Sequence, residues 1–476
     1  MDRGQIALIT TIAVILVVGA IFTPMEGEES AVKEELKNVL ESNYNAGADY
    51  PARLLILGNA DMDSDFDEDD IKVIEMLIAN GYDYIKDYFA DANYDGVIDQ
   101  NDIDKVRAMM DYDNFNGIAY YHDVDYRISS YDMSRPLNVA NILTQTLEME
   151  CILCPENIVA TDERCSYQSS MGNFYKEFEY VIDYGPDGKN VGNIGSHKAL
   201  NPETMAAVAA KYAGGNLTVW MNTVRSYNLD IEMLRSSGVQ LVALPSWEKA
   251  AMVNGILTAG YLFHKWERAN EFVDWYDSIK NDMLQKAAAL DDSERKGVLV
   301  AYIQTTDEVG DGYQLCVFND GYYRNMLQIG IVDINKMYIE YKGDVPQGYK
   351  YDIAEQDLVQ ILSIFDVDLI VGLSSGPYNI TKEKFQSEYD IRIKQLRNYS
   401  EGDNTELLEY GWIYGTGPND LAFLASVGNV LYGWDYDVEE IINKSLEFLG
   451  IYGDEEPGQW SYDSLKDTLI LYDLEA

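Results

Sequence analysis

The chain has 476 residues, 47% hydrophobic and 12% aromatic, enough to bury a large core in more than one domain. Its 81 acidic and 35 basic residues leave a formal charge of −46 and a pI of about 4.2. That balance excludes a nucleic-acid binder, which needs a basic footprint, and fits bound cations, a high-salt environment or a surface kept soluble by repulsion.

Ile6 to Phe22 is an uncharged apolar run behind a single Arg3, with acidic residues after it. A membrane-spanning helix needs roughly 17–25 apolar residues, so residues 1–25 read as an N-terminal transmembrane signal-anchor, with a secretory signal as the alternative. No small-x-small cleavage site and no lipid-bearing cysteine follow it. The expected location is the extracellular face of the cell membrane. Residues 26–52 read as a polar spacer with a short helix. Sequons at Asn216, Asn379, Asn398 and Asn443 permit that location.

Residues 53–112 form an acidic module organised around "DANYDGVIDQND", residues 91–102. Oxygen donors recur at Asp91, Asn93 and Asp95, a glycine turns the chain at Gly96, Val97 offers its carbonyl, and Asp99 and Asp102 follow. Ca²⁺ takes six to eight hard oxygens, and a 12-residue loop with glycine at position 6 supplies them at this spacing. A second loop, residues 59–70, repeats the pattern with Asn59, Asp61, Asp63, Asp65, Asp67 and Asp70. It departs at Asn59, where an aspartate is usual, and at Ser64, where the glycine is usual, so it should be the weaker site. Ile98 and Phe66, both at position 8, are placed to pair across the loops. Each loop runs directly into a helix. The tandem, ending in Asp rather than Glu, resembles a type I dockerin. That resemblance implies an all-α module of paired EF-hand-like loops, structural calcium and a cohesin-bearing partner contacted through Glu68, Asp69, Gln100 and Asn101.

Beyond the module, β-rich runs alternate with helical stretches, the texture of parallel sheets with covered faces. Residues 113–253 read as a first α/β lobe and 291–476 as a second. Between them Asn254 to Leu290 carries helical periodicity without proline, so one long helix is expected over 254–290. Asn201 suits an N-cap, Pro202 the first helical position and Glu203 the positive helix end. Cys151 and Cys154 lie at C-x-x-C spacing without a second pair, so a disulfide or plain burial, not a metal, is expected for Cys151, Cys154, Cys165 and Cys316. His122, His197 and His264 read as surface or structural residues.

The order of "NPETMAAV", "SSGVQLVALP", the long helix and "AEQDLVQILSIFDVDLIVGL" resembles the class III periplasmic-type substrate-binding proteins of ABC importers, which carry ferric siderophores, haem and cobalamin. The resemblance covers roughly Gly117 to the C-terminus. It implies cargo gripped between two lobes and delivered to a permease with its ATPase, with Glu355 and Glu203 as docking acids; Glu232 is an alternative to Glu203. In open α/β sheets ligands bind beyond the carboxyl ends of the strands. By position the cargo-facing candidates are Arg164, Tyr167, Trp220, Arg225 and Trp247 in the first lobe, and Tyr323, Arg324 and Tyr378 in the second. Aromatic faces with arginines suit a flat or anionic iron chelate or corrinoid.

No G-x-S-x-G, H-E-x-x-H or phosphate-binding glycine loop is present, so a non-enzymatic binding protein is expected. A dockerin-bearing glycan-active enzyme and a non-catalytic surface scaffold are the alternatives.

Overall fold

A computed structural model describes residues 52–125, 127–162, 192–196, 199–222, 229, 231–246, 252–302, 312–317, 321–346, 350–374, 406–411, 419–449 and 469–473. They divide into two compact units, Leu54–Ser134 and a second that joins residues 52–53 to Arg135 and all that follows. The expected anchor and nearly all of the expected spacer lie outside the described residues, among which no helix is long and apolar enough to cross a membrane.

The first unit contains α1 (Glu68–Asn80), α2 (Tyr84–Asp87), a 3-10 turn (Tyr88–Ala90), α3 (Gln100–Met109) and the hairpin β1 (Ile118–His122) and β2 (Ile128–Asp132). α1 and α3 each start in a capping box, Asp67 with Asp70 and Asp99 with Asp102, and bury Ile71 and Ile74 or Ile103, Val106 and Met109. Residues 54–57 run alongside β1: Leu57 N donates to Tyr120 O and His122 N to Leu55 O, both at 2.8 Å. The hairpin, which the sequence pattern groups with the first lobe, is thereby built into the loop module.

The second unit opens with a lobe of β3 (Val139–Asn141), α4 (Thr144–Leu153), β4 (Ile158–Thr161), β5 (Gly192–Asn193), β6 (Gly195–Ser196), β7 (Ala199–Leu200), α5 (Pro202–Tyr212), β8 (Leu217–Met221), α6 (Ile231–Ser236), β9 (Val239–Ala243) and α7 (Met252–Leu262). Its sheet has the order β5-β4-β3-β8-β9 and is parallel throughout. β4 and β8 are buried at every position, which is why they read as unbroken apolar runs.

After α8 (Trp266–Ala288) come β10 (Gly297–Tyr302), β11 (Gly312–Cys316), α9 (Gly321–Leu327), β12 (Val332–Asp333), α10 (Ile334–Lys342), β13 (Lys350–Ala354), α11 (Glu355–Ile364), β14 (Leu369–Ser374), β15 (Glu406–Gly411), α12 (Asn419–Tyr432), α13 (Val438–Phe448) and β16 (Leu469–Asp473). This sheet is mixed, not parallel: β13-β11-β10-β14-β15-β16, with β12 beside β10 and with β11 and β16 antiparallel to their neighbours. Leu299, Leu315, Ile334, Tyr338, Ile361 and Ile370 fill its core.

The single helix expected over 254–290 is two helices, α7 and α8. His264 takes a left-handed φ of 54°, and Lys265 N bonds Gly260 O at 2.7 Å, which ends α7. Gly260 then lies against Ala269, so closely that a Cβ there would stand 2.2 Å from the Ala269 Cβ. The 23 residues of α8 span about 34 Å and reach both lobes. Near its start Arg268 donates to the carbonyl of Ile152, and Lys265, its N-cap, pairs with Glu156. Further on, Tyr276 donates to Asp420 Oδ2 at 3.0 Å, Lys280 to Asn325 Oδ1, and Tyr436 to Asp282 Oδ2 at 2.5 Å. The chain just ahead of the first unit is pinned here too, Ala52 N to Asp277 Oδ2 at 3.3 Å and Arg53 N to Asn254 Oδ1 at 2.8 Å.

Tyrosine hydroxyls donate to aspartates in several further places: Tyr84 to Asp91, Tyr323 to Asp333, Tyr338 to Asp357 and Tyr351 to Asp344.

Candidate functional site

Two features are candidates, the paired loops of the first unit and the carboxyl edges of the sheets in the second. The loops share a hydrogen-bond register. Asn59 Oδ1 accepts from Asp63 N at 3.2 Å as Asp91 Oδ1 accepts from Asp95 N at 3.1 Å. At the last position, Asp70 Oδ1 accepts from Asp61 N at 3.3 Å as Asp102 Oδ1 accepts from Asn93 N at 3.1 Å, and Asp70 Oδ1 also takes Ala60 N at 2.7 Å. Met62 and Tyr94, both at position 4, are left-handed, with φ of 62° and 56°. The loops differ where their sequences do. Gly96 turns at φ 87° and donates to Asp91 Oδ2 at 2.9 Å, whereas the Asn59 amide is spent on Leu54 O and Asp63 O, both at 2.8 Å.

Burial pushes the Asp70 carboxyl up to about 7 and that of Asp102 to about 6, against the backbone donors that hold them ionised. Burial also raises Asp91, and burial followed by repulsion from Asp63 raises Asp61 and Asp65. Asn93 Oδ1 is buried with no hydrogen-bond partner among the described residues. In this conformation no group of three or more His, Cys, Asp or Glu side chains among the described residues converges to hold a metal ion; backbone N–H groups engage the carboxylates instead.

In the parallel first sheet all strands end at one edge. Asn141 ends β3, Asp162 follows β4, Asn222 follows β8 and Ser246 lies just past β9. Asn141 joins two of these paths, donating from Nδ2 to Glu150 Oε2 at 3.3 Å and accepting from Asp162 N at 3.4 Å. Glu150, on α4, is fully buried, and burial lifts its carboxyl well above the usual range, more than the Asn141 amide offsets. Its Oε1 has no partner among the described residues, nor do Asn222 Oδ1, Ser246 Oγ and Trp220 Nε1, all buried. Buried polar atoms are normally paired, so each of these is left open to water or a ligand. The sequence reading missed Asn141, Glu150 and Ser246; the signal was an acid inside the apolar helix "TLEMECIL".

Trp220 is not a surface platform. It is fully buried and meets Phe263 edge-on, centroids 5.6 Å apart, because β8 lies between β3 and β9 with both faces covered. Tyr323 is likewise 2% exposed with its hydroxyl on Asp333, and Arg324 is half-buried on α9. Arg164, Tyr167, Arg225, Trp247 and Tyr378 lie outside the described residues. Glu203 is exposed in the first turn of α5, where Asn201 caps the helix at 2.8 Å from Glu203 N. Glu355 is the first residue of α11. Cys151 and Cys154 are free and buried, and burial raises their thiols; Cys316 is buried, and Cys165 and His197 lie outside the described residues. His122 is buried between Tyr88 and Phe89, ring centroids 5.0 and 4.9 Å away, and His264 is exposed.

No protein-family model matches the chain, and no curated protein matches it in sequence. Solved structures do match in fold. A TroA-like periplasmic binding protein, FepB, from Veillonella parvula is 15% identical with a TM-score of 0.53, over 69% of this chain and 95% of that one. A periplasmic solute binding protein from the same organism is 13% identical, TM-score 0.48, over 74% of this chain and 99% of that one. The triscatecholate siderophore binding protein FeuA from Bacillus subtilis, solved with ferri-bacillibactin, is 12% identical, TM-score 0.43, over 66% and 98%. Two α/β lobes bridged by a helix that bonds to both thus make an architecture similar to that of the TroA-like periplasmic binding proteins.

Proposed function

We propose that the chain is the substrate-binding protein of an ABC importer, capturing an iron chelate, haem or a corrinoid between its lobes and delivering it to the permease. The observation that carries this reading is α8, bonded through Arg268 to the first lobe and through Tyr276 and Lys280 to the second. A connector held at both ends suits lobes that grip cargo with little hinge motion. The unpaired polar atoms along the first sheet's carboxyl edge supply contacts where such a cargo sits. Glu203 and Glu355, each in the first turn of a helix, are the acids offered to permease arginines. Arg164, Tyr167, Arg225, Trp247, Arg324 and Tyr378 remain the cargo-facing candidates by position. Binding without turnover is the activity expected.

The first unit we read as a dockerin-like module that binds calcium structurally. The matched register of the loops, Gly96 and the orphaned Asn93 Oδ1 support it. Asp91, Asn93, Asp95, Asp102 and the Val97 carbonyl would hold the ion, with Asp99 through water, and Asn59, Asp61, Asp63, Asp65, Asp67 and Asp70 a weaker one. A bound ion supplies the positive charge that these crowded carboxylates lack, and the side chains must turn inward to meet it. A cohesin-bearing partner and an N-terminal membrane anchor on the extracellular face complete the reading.

The test is a titration of the purified protein with haemin, cobalamin and a panel of ferric siderophores, followed by tryptophan fluorescence and melting temperature. Saturable quenching with a rising melting temperature for one class names the cargo. Flat titrations throughout would remove chelate uptake as the function.

A further inference from the structure

Tyrosine hydroxyls tie the two loops of the first unit together, beside a backbone bond from Gly58 N to Phe89 O at 2.6 Å just ahead of them. Among the described residues no bridge joins Phe66 to Ile98; the one isolated bridge is between Ile56 and Tyr121. Each position-8 residue is instead held by a hydroxyl from beyond the other loop's helix. Tyr112, just past α3, accepts from Phe66 N at 2.6 Å and donates to Phe66 O at 3.0 Å, its ring 6.5 Å from that of Phe66. Tyr82, just past α1, accepts from Ile98 N at 3.1 Å. Two residues on, Tyr84 donates to Asp91 Oδ2 at 2.7 Å, so one segment grips the second loop at its first and eighth positions.

The path closes on itself. α1 is rooted in the first loop through the Asp67–Asp70 capping box, and its far end leads to Tyr82 on the second loop. α3 is rooted in the second loop through Asp99 and Asp102, and its far end leads to Tyr112 on the first. Position 8 stands between the carbonyl of position 7 and the carboxylate of position 9, so a hydroxyl that fixes its amide fixes both cation-facing neighbours. The last aspartate of each loop serves both the loop and the helix start, so a cation there steadies the helix that carries the tyrosine.

We propose that Tyr82 and Tyr112 form a reciprocal latch that couples the two loops, so that cation binding at one raises the affinity of the other. The inference rests on the calcium reading above. Both tyrosines act as positioning residues, outside either ligand set.

The test is calorimetric calcium titration of the full chain, alone and with Asp63→Ala or Asp95→Ala to disable one loop, each also in a Tyr82→Phe/Tyr112→Phe background. With the tyrosines present, disabling one loop should weaken calcium at the other by about five-fold, the lower end of ordinary site coupling. In the phenylalanine background the remaining loop should have one affinity whether or not its partner is intact. A merely structural role would lower the melting temperature but leave that ratio unchanged. The latch is overturned if the loops are independent with both tyrosines present, if the coupling survives their removal, or if one loop alone takes calcium, the last leaving the calcium reading in place. No calcium uptake at all would overturn that reading and the latch with it. Should the double variant not fold, Tyr82→Phe alone, at a partly exposed ring, makes the same comparison.

Discussion

Tyr276 on α8 donates its hydroxyl to Asp420 Oδ2 at 3.0 Å, with both side chains buried. Asn325 donates to the same oxygen and accepts from Lys280, so the connector helix, α9 and α12 share one polar knot. Tyr276→Phe keeps the ring and removes one of the donors on a buried carboxylate. It should lower the stability of the second lobe by about 1–3 kcal/mol, read as a lowered transition in scanning calorimetry.

Lys280 gives the same knot a pH dependence. Burial lowers its ammonium from 10.5 to about 8, although Asp420 and Asp277 pull the other way. The unfolded chain therefore holds more protons than the folded one between those values, and stability rises with pH across that window. The gain is at most about 3 kcal/mol, and Lys280→Met should flatten it. Denaturant unfolding at pH 8 and pH 10 checks the sign; a steeper rise in the variant would contradict it.

His122 sets an acid limit on the first unit. Buried between two rings, with both nitrogens unpaired among the described residues, its imidazole is lowered from 6.5 to about 3. Below pH 6.5 the unfolded state takes up the proton first, so stability falls as pH drops toward 3. Between pH 7 and pH 4 His122 contributes a loss of roughly 3 kcal/mol, opposed by the raised carboxyls of Asp70 and Asp102, so the native chain should lose about that much relative to His122→Phe. Melting curves of the pair at both pH values measure the difference.

Gly238 has no room for a side chain. Its φ is 85°, and a Cβ would stand 2.0 Å from Gly215 O. Arg135 bonds both carbonyls, at 2.7 Å to Gly238 O and 3.2 Å to Gly215 O. Gly238→Ala must part the turns ahead of β8 and β9 and loosen that clamp, destabilising the first lobe by about 1–3 kcal/mol. Chemical denaturation of the variant reads this directly.

Calcium should stabilise the first unit, by about 2.7 kcal/mol at a hundredfold excess over its dissociation constant. A chelator should reverse the shift, and Asp91→Ala should abolish most of it. An unchanged melting temperature in calcium and in chelator would argue that the loops fold on their own hydrogen bonds.

What the sequence made legible was local. The alternate-position aspartates name the two loops because their ligands are neighbours in the chain, and the capping boxes at Asp67 and Asp99 follow from the same residues. The runs "LTVWMN" and "VQLVALP" carry the parallel sheet because both faces of β8 and β9 are covered. Long-range contacts left no such trace. Nothing in the sequence at Phe263–Lys265 marks the end of α7, which the left-handed His264 and the Lys265 N–Gly260 O bond close, with Gly260 against Ala269. Trp220 looked like a platform at a strand end until Phe263 covered it. The partners of Phe66 and Ile98 stand 46 and 16 residues away, and an abundant residue type gave no reason to single them out.

The tyrosine–aspartate pairs found in both units, Tyr84–Asp91, Tyr276–Asp420, Tyr323–Asp333, Tyr338–Asp357, Tyr351–Asp344 and Tyr436–Asp282, have one further consequence. With 81 acids and 35 bases, ion pairing alone leaves 46 carboxylates without a cationic partner. A phenol is an uncharged donor, and its hydrogen bond is too short-ranged for dissolved ions to screen. Cohesion built this way is indifferent to salinity, from dilute medium to brine, and fails instead in strong alkali, where the phenols lose the proton they share.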